Sequence, residues 1–196
     1  MKSSMPFLLA ALLCSGLSFS LWAAEAFFPP KTFDGDTSLQ VLEGMYAHVL
    51  KSLGERPLPP LAAERKHHVY RFTCVPSFEP QFCLVLTVHP DGSARLKRLI
   101  RRVGSMPLRG TCPQGELVLG RQPVDRFVKM VEEQRLWLLK ATEPTEGLDG
   151  SHWLIEAVRD GRYHLVERWS PRSSTALGRI GRDFSELAEW KVPVVD

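Results

Sequence analysis

Two alternating runs of residues, separated by the dipeptide Asp160-Gly161, constrain the fold of this chain more than any other feature. The runs are HWLIEAV and RYHLVERWSP, and both are rich in β-branched and aromatic residues. An Asp-Gly pair between two such runs is a strong signal for a tight β-hairpin. A two-residue loop would place Arg159 opposite Arg162 and Trp153 opposite Arg168. The hairpin excludes a wholly helical or wholly parallel fold.

The rest of the chain combines amphipathic helices with short strands. Three strands are predicted at VYRFTCV, FCLVLTV and SARLKRLIRRV, and the loop at 104–121 has room for one more at Glu116–Leu119. Helices are predicted from a cap at 36–38 to about residue 53, from 123 to about 138, and from 173 or 174 to 190. Gly178 and Gly181 in the last helix indicate a close approach to the sheet. We expect an α+β fold, with an antiparallel sheet of about four to six strands built from hairpins and about three helices packed on one face.

The N-terminal residues 1–26 have the features of a secretory signal peptide: an early lysine, an apolar run and the small residues Ala24-Glu25-Ala26. Cleavage after Ala26 is expected, with cleavage after Ala24 as the alternative. A retained membrane anchor and lipidation at Cys14 are weaker alternatives, because serines interrupt the apolar run and the bulky Leu13 precedes the cysteine. We therefore expect a periplasmic or secreted bacterial protein with no stable membrane span after cleavage. The remainder divides into an N-terminal helix with a proline-rich linker at 27–66 and an α+β core at 67–196.

Three cysteines remain after the predicted cleavage, and an odd number in an oxidising compartment implies either one disulfide and one free thiol or an intermolecular pair. Cys74 and Cys83 lie on the two arms of a predicted hairpin, so their pairing is the simplest expectation. The alternative pairs Cys83 with Cys112. No C-x-x-C motif occurs, and the sequence predicts neither a metal site nor a cofactor.

Both faces of the C-terminal hairpin mix apolar and polar residues, so its polar side chains are either paired in the interior or line a groove. Glu156 and Glu167 are diagonal neighbours on one face and could form an acid and base pair of the glycosidase type. His164 is a further catalytic candidate. No G-x-S-x-G, P-loop or H-E-x-x-H motif accompanies them. A hydrolase is therefore the alternative interpretation.

The third predicted strand carries five cations in eight residues. Together with the flexible loop that follows it, such a cluster can attract an acidic protein or an anionic envelope polymer. The competing explanation is a solvated edge strand, whose like charges discourage pairing with other sheets. The net charge of +3 is too small to indicate a nucleic-acid partner. The candidate binding residues are Arg95, Lys97, Arg98, Arg101 and Arg102.

The segment from Leu148 to Pro171, with the pattern LDGxxWxxE followed by GxYHxVxRWSP, resembles an uncharacterised family of small exported bacterial proteins. The resemblance covers about half of the chain that follows the signal peptide, and it implies no particular activity. It implies that six polar and aromatic residues belong together, either as a buried network or as a binding site. These residues are Asp149, Glu156, Tyr163, His164, Arg168 and Trp169. We expect an exported, non-catalytic binding protein, for example an inhibitor or immunity-type protein that acts on a toxin or envelope enzyme.

Overall fold

A computed structural model describes residues 26–33, 37–101, 113–143 and 147–190. Nearly all of the predicted signal peptide, together with Cys14, Arg102 and Cys112, lies outside these ranges. The helices are α1 (Thr37–Ser52), α2 (Pro59–Ala63), α3 (Arg121–Glu133) and α4 (Ala176–Leu187), with a 3-10 turn at Leu136–Leu138. The strands are β1 (Val69–Pro76), β2 (Gln81–Val88), β3 (Ala94–Arg101), β4 (Gly115–Leu119), β5 (Ser151–Arg159) and β6 (Arg162–Trp169). None of the helices in the described ranges combines the length and apolar character needed to span a bilayer.

The six strands form one antiparallel sheet in the order β4-β3-β2-β1-β5-β6, which confirms the predicted α+β fold. The β5–β6 hairpin has the predicted register, with Arg159 opposite Arg162 and Trp153 opposite Arg168. Asp160 and Gly161 both have positive φ angles, 53° and 77°, as the favoured two-residue hairpin turn requires.

Helices cover both faces of the sheet, and the expectation that they would cover one face is wrong. On one face α3 and α4 pack over a core that includes Phe72, Leu84 and Phe184. On the other face α1 and the segment 27–33 pack over a second core. The reason is visible in β1, where seven of eight residues are buried. A strand whose two faces are both apolar needs cover on both sides.

Helix α4 lies very close to the sheet at Gly181, as this glycine predicts, because a Cβ atom there would lie 2.3 Å from the ring of Trp153 on β5. Gly178 was expected to mark the same approach, but it packs against the loop before the helix, where a Cβ atom would lie 2.1 Å from the carbonyl oxygen of Arg172. Only glycine permits this approach without displacing its neighbours.

The basic strand β3 is an internal strand, because β4 pairs along its outer side. The explanation of β3 as a solvated edge is therefore wrong. At the opposite side of the sheet, residues 139–141 run along β6. The carbonyl of Ala141 accepts a hydrogen bond from the amide of Glu167 at 2.7 Å, and His164 Nε2 lies 3.0 Å from the carbonyl of Leu139. Among the described residues, β4 is thus the sheet edge without a neighbouring segment.

The predicted disulfide between Cys74 and Cys83 is wrong. Cys74 pairs with Phe82 and Cys83 with Thr73, so the two cysteines are one position out of register. Side chains alternate along a strand, and the two sulfurs therefore point into opposite cores. Both thiols are free and buried, and burial raises the pKa of Cys83 to about 12. The alternative partner, Cys112, lies outside the described residues.

Candidate functional site

The first candidate site surrounds Glu156, which lies on β5 directly opposite Arg71 on β1. Both side chains are completely buried. Arg71 donates from Nε to one carboxylate oxygen at 2.7 Å and from Nη2 to the other at 2.8 Å. The hydroxyl of Tyr163 donates a third hydrogen bond at 2.9 Å. This bidentate, three-donor arrangement compensates the charge of a carboxylate that is out of contact with solvent.

The ion pair continues outward through the residues that follow α1. Arg71 Nη1 donates to the carbonyl of Arg56 at 2.7 Å and lies 3.7 Å from a carboxylate oxygen of Glu55. The other oxygen of Glu55 lies 3.3 Å from Lys97 Nζ on β3. Burial, and then the charge of Glu156, raises the pKa of Tyr163 well above its ordinary value. The buried charges therefore connect the N-terminal segment to the centre of the sheet.

Glu167 forms a separate cluster on the same face. Its side chain is fully buried, and one carboxylate oxygen lies 3.0 Å from Nδ1 of His152. The ring of Trp169 packs edge-on against His152, with centroids 4.5 Å apart. The carboxylate of Glu167 also faces the buried hydroxyl of Tyr46. Burial, and then the charge of Glu167, raises the pKa of Tyr46. Glu156 and Glu167 thus serve two different partners, and neither is exposed to a substrate.

The six residues grouped by the resemblance do not form one cluster. Glu156 and Tyr163 are bonded to each other, whereas His164 and Arg168 lie on the opposite face. His164 binds the carbonyl of Leu139, and burial lowers its pKa. Arg168 donates to the carbonyl of Lys140 at 3.0 Å and to Glu143 at 2.8 Å. Trp169 contacts His152, as described above, and Asp149 is exposed in the loop before β5. His164 and Arg168 therefore hold residues 139–141, called the strap below, beside β6.

The cations of β3 divide between the two faces of the sheet. Arg95, Lys97 and Arg101 lie on the face of α1, because their pairing partners on β2 belong to that face. Arg95 is 57% exposed and pairs with Glu116 at 2.9 Å, and Lys97 is 46% exposed. Arg101 donates to Gln81 at 2.6 Å.

Arg98 faces the other way and is buried. Its Nη1 donates to the carbonyl of Ala188, at the C-terminal end of α4, at 3.3 Å. Arg98 therefore contributes to the packing of α4 and is removed from the exposed basic surface. Arg102 lies outside the described residues.

The sequence reasoning missed Arg71, the central residue of the buried network. A signal was present: Arg71 is the one charged residue in VYRFTCV, and a lone charge in an apolar strand must have a partner. The partner could not be named, because Arg71 and Glu156 are 85 positions apart.

No model of a known protein family matches the chain, and a search of curated proteins finds no match either. The resemblance of the hairpin segment to an exported bacterial family stays a prediction. No group of three or more His, Cys, Asp or Glu residues suited to a metal ion occurs in the described ranges.

Proposed function

We propose that this chain is an exported, non-catalytic binding protein that recognises a protein partner in the cell envelope through the exposed face of β3 and β4. The observation that carries the proposal is the separation of the polar groups into two sets. Those suited to acid–base chemistry, Glu156 and Glu167, are buried and paired. Those suited to recognition are exposed on a single face. A role as inhibitor or immunity-type protein fits this division, because such a protein occupies its target without chemistry of its own.

The contact surface, called the basic patch below, consists of Arg95, Lys97, Arg101 and Val118. Val118 lies opposite Arg95 on β4 and is 78% exposed, one of the most exposed large apolar side chains in the described residues. The three cations outnumber the two carboxylates that face them, Glu55 and Glu116. An excess of positive charge beside an exposed apolar side chain favours an acidic partner through electrostatic complementarity.

The test is a charge reversal at the two exposed cations. One double variant carries Arg95→Glu and Lys97→Glu, and the matched control carries Lys66→Glu and Lys129→Glu. Both variants replace two exposed cations that have acidic neighbours. Cells producing each protein are cross-linked, and the attached proteins are identified by mass spectrometry. The first variant should lose a specific partner that the wild type and the control retain. Identical cross-linked proteins for both variants would contradict the basic patch.

A second measurement separates binding from the alternative of a periplasmic hydrolase using Glu156 with Glu167 or His164. Glu156→Gln is compared with wild type for turnover of cell-wall polymers, and circular dichroism reports whether the variant is folded. The binding proposal expects no turnover by either protein. Turnover by the wild type that disappears in a folded Glu156→Gln protein would establish the hydrolase.

A further inference from the structure

The edge strand β4 has no neighbouring segment on its outer side among the described residues. Edge strands in soluble proteins are commonly protected by short length, by charged side chains or proline, by a bulge, or by a covering segment. The sequence of β4 is GELVL: it is short and carries one charge, Glu116, which pairs with Arg95, but it contains neither lysine nor proline. The opposite edge, β6, is covered by the strap at 139–141, whereas no described segment lies along β4.

We propose that β4 accepts an extended segment of the partner protein as a seventh strand of the sheet. The inference rests on the proposed function and specifies how the partner is held. In this mode of recognition main-chain hydrogen bonds supply affinity, and alternate side chains of the added strand supply specificity. The side chains on the two faces of the sheet beside β4 therefore determine which residues the added strand can carry at alternate positions.

On the face of α1, the added strand would meet the basic patch. The Arg95 guanidinium already extends from β3 across β4, since it reaches Glu116 at 2.9 Å. A carboxylate on the next strand would compete with Glu116 for this guanidinium. Side chains that point to this face are therefore aspartate or glutamate.

On the other face, a groove of about 440 Å³ lies between α3 and α4, beside the Leu119 end of β4. Leu119 lines it at one end of the strand, and Glu189, which approaches Arg98 opposite Gly115, lines it towards the other end. Its floor is apolar, and its rim carries three carboxylates and the guanidinium of Arg126. The carboxylates outnumber the one cation, so a lysine or arginine, with an apolar stem and a cationic head, fits this combination. The groove is lined by Leu119, Pro123, Arg126, Phe127, Asp183, Glu186, Leu187 and Glu189.

The segment expected at β4 therefore alternates acidic residues with basic or aliphatic ones. A library of random nine-residue peptides displayed on phage, selected on the full-length protein, tests this pattern directly. Enriched peptides should show acidic residues with a period of two. The hydrogen exchange of the β4 amides should slow at least tenfold when a selected peptide binds.

N-methylation of the selected peptide provides the decisive control. In a β-strand only every second amide points to the neighbouring strand. Methylating one set of alternate amides should weaken binding at least tenfold, while methylating the other set should leave affinity within threefold, with the side chains unchanged. Equal effects of the two sets, or no enrichment of alternating peptides, would overturn the added strand. If cross-linking of a partner were still lost in the Arg95→Glu, Lys97→Glu variant, the proposed function would stand without the added strand.

Discussion

Replacing Arg71 with methionine should destabilise the protein more than any other single change at the buried network. The substitution leaves Glu156 fully buried and removes two of its three hydrogen bonds, those at 2.7 and 2.8 Å. Only the bond from Tyr163 would remain. Removing one partner of a buried ion pair typically costs about 3–5 kcal/mol, because the other charge stays in the interior uncompensated. We expect a loss in this range for Arg71→Met.

The reverse substitution, Glu156→Met, should cost less. Arg71 would keep the carbonyl of Arg56 and the carboxylate of Glu55, at 2.7 and 3.7 Å. Replacing both members of the pair by methionine removes both buried charges and should cost less than about 2 kcal/mol. The double-mutant cycle should therefore give a coupling of more than about 1 kcal/mol in favour of the pair.

Urea unfolding monitored by the fluorescence of the buried tryptophans, Trp153 and Trp190, measures these differences. For a chain of this size about 3–5 kcal/mol corresponds to a fall in melting temperature of roughly 6–20 °C. Additive effects of Arg71→Met and Glu156→Met would refute the reasoning, because additivity means that neither charge depends on the other in the folded state.

Three further predictions concern buried groups. Burial raises the pKa of all three tyrosines, so the folded protein should show no tyrosinate absorbance step near pH 10. Tyrosines ionise near this pH in the unfolded chain, so the free energy of unfolding should fall as the pH rises above about 10. A reversible absorbance step near pH 10 in the folded protein would contradict this prediction. In a Cys112→Ser protein, Cys74 and Cys83 should resist a thiol reagent at pH 8 until denaturant is added, and a mass showing them disulfide-linked would contradict the structure. Gly181→Ala should lower the free energy of unfolding by about 1–3 kcal/mol, because the new methyl group would overlap a tryptophan ring. Gly44→Ala in α1, where the space is open, should raise it by about 0.5–1 kcal/mol. Equal shifts of the urea midpoint in the two variants would show that the overlap is relieved.

The features that depend on neighbouring residues could be predicted from the sequence. The turn at Asp160-Gly161 determines the register of β5 and β6, and the apolar stripes of α3 and α4 identify the faces that pack on the sheet. The glycines of α4 also indicated close packing, because glycine in a helix interior is otherwise unfavourable. Each of these signals acts within a few residues of the chain.

The features that depend on distant pairing could not be predicted. The expected disulfide between Cys74 and Cys83 required a register in which the two residues face the same way, and the actual register differs by one position. The partner of Glu156 was likewise hidden, because the sequence does not show that β5 lies beside β1. Arg98 was expected among the binding residues of β3, but it is buried, because the packing of α4 makes that residue interior.

The contact between β1 and β5 also determines when the protein can complete its folding. Strands β1 to β4 pair with neighbours in sequence, but β1 keeps one free side until β5 has been synthesised. Throughout that interval a nascent chain exposes the strand that is most completely buried in the folded sheet, with Arg71 lacking its counter-ion. Unpaired apolar strands are prone to aggregate. We therefore expect a chain that emerges from its N-terminus to be prone to aggregation until its last quarter, which begins with β5, is available, and truncation before β5 should yield insoluble protein.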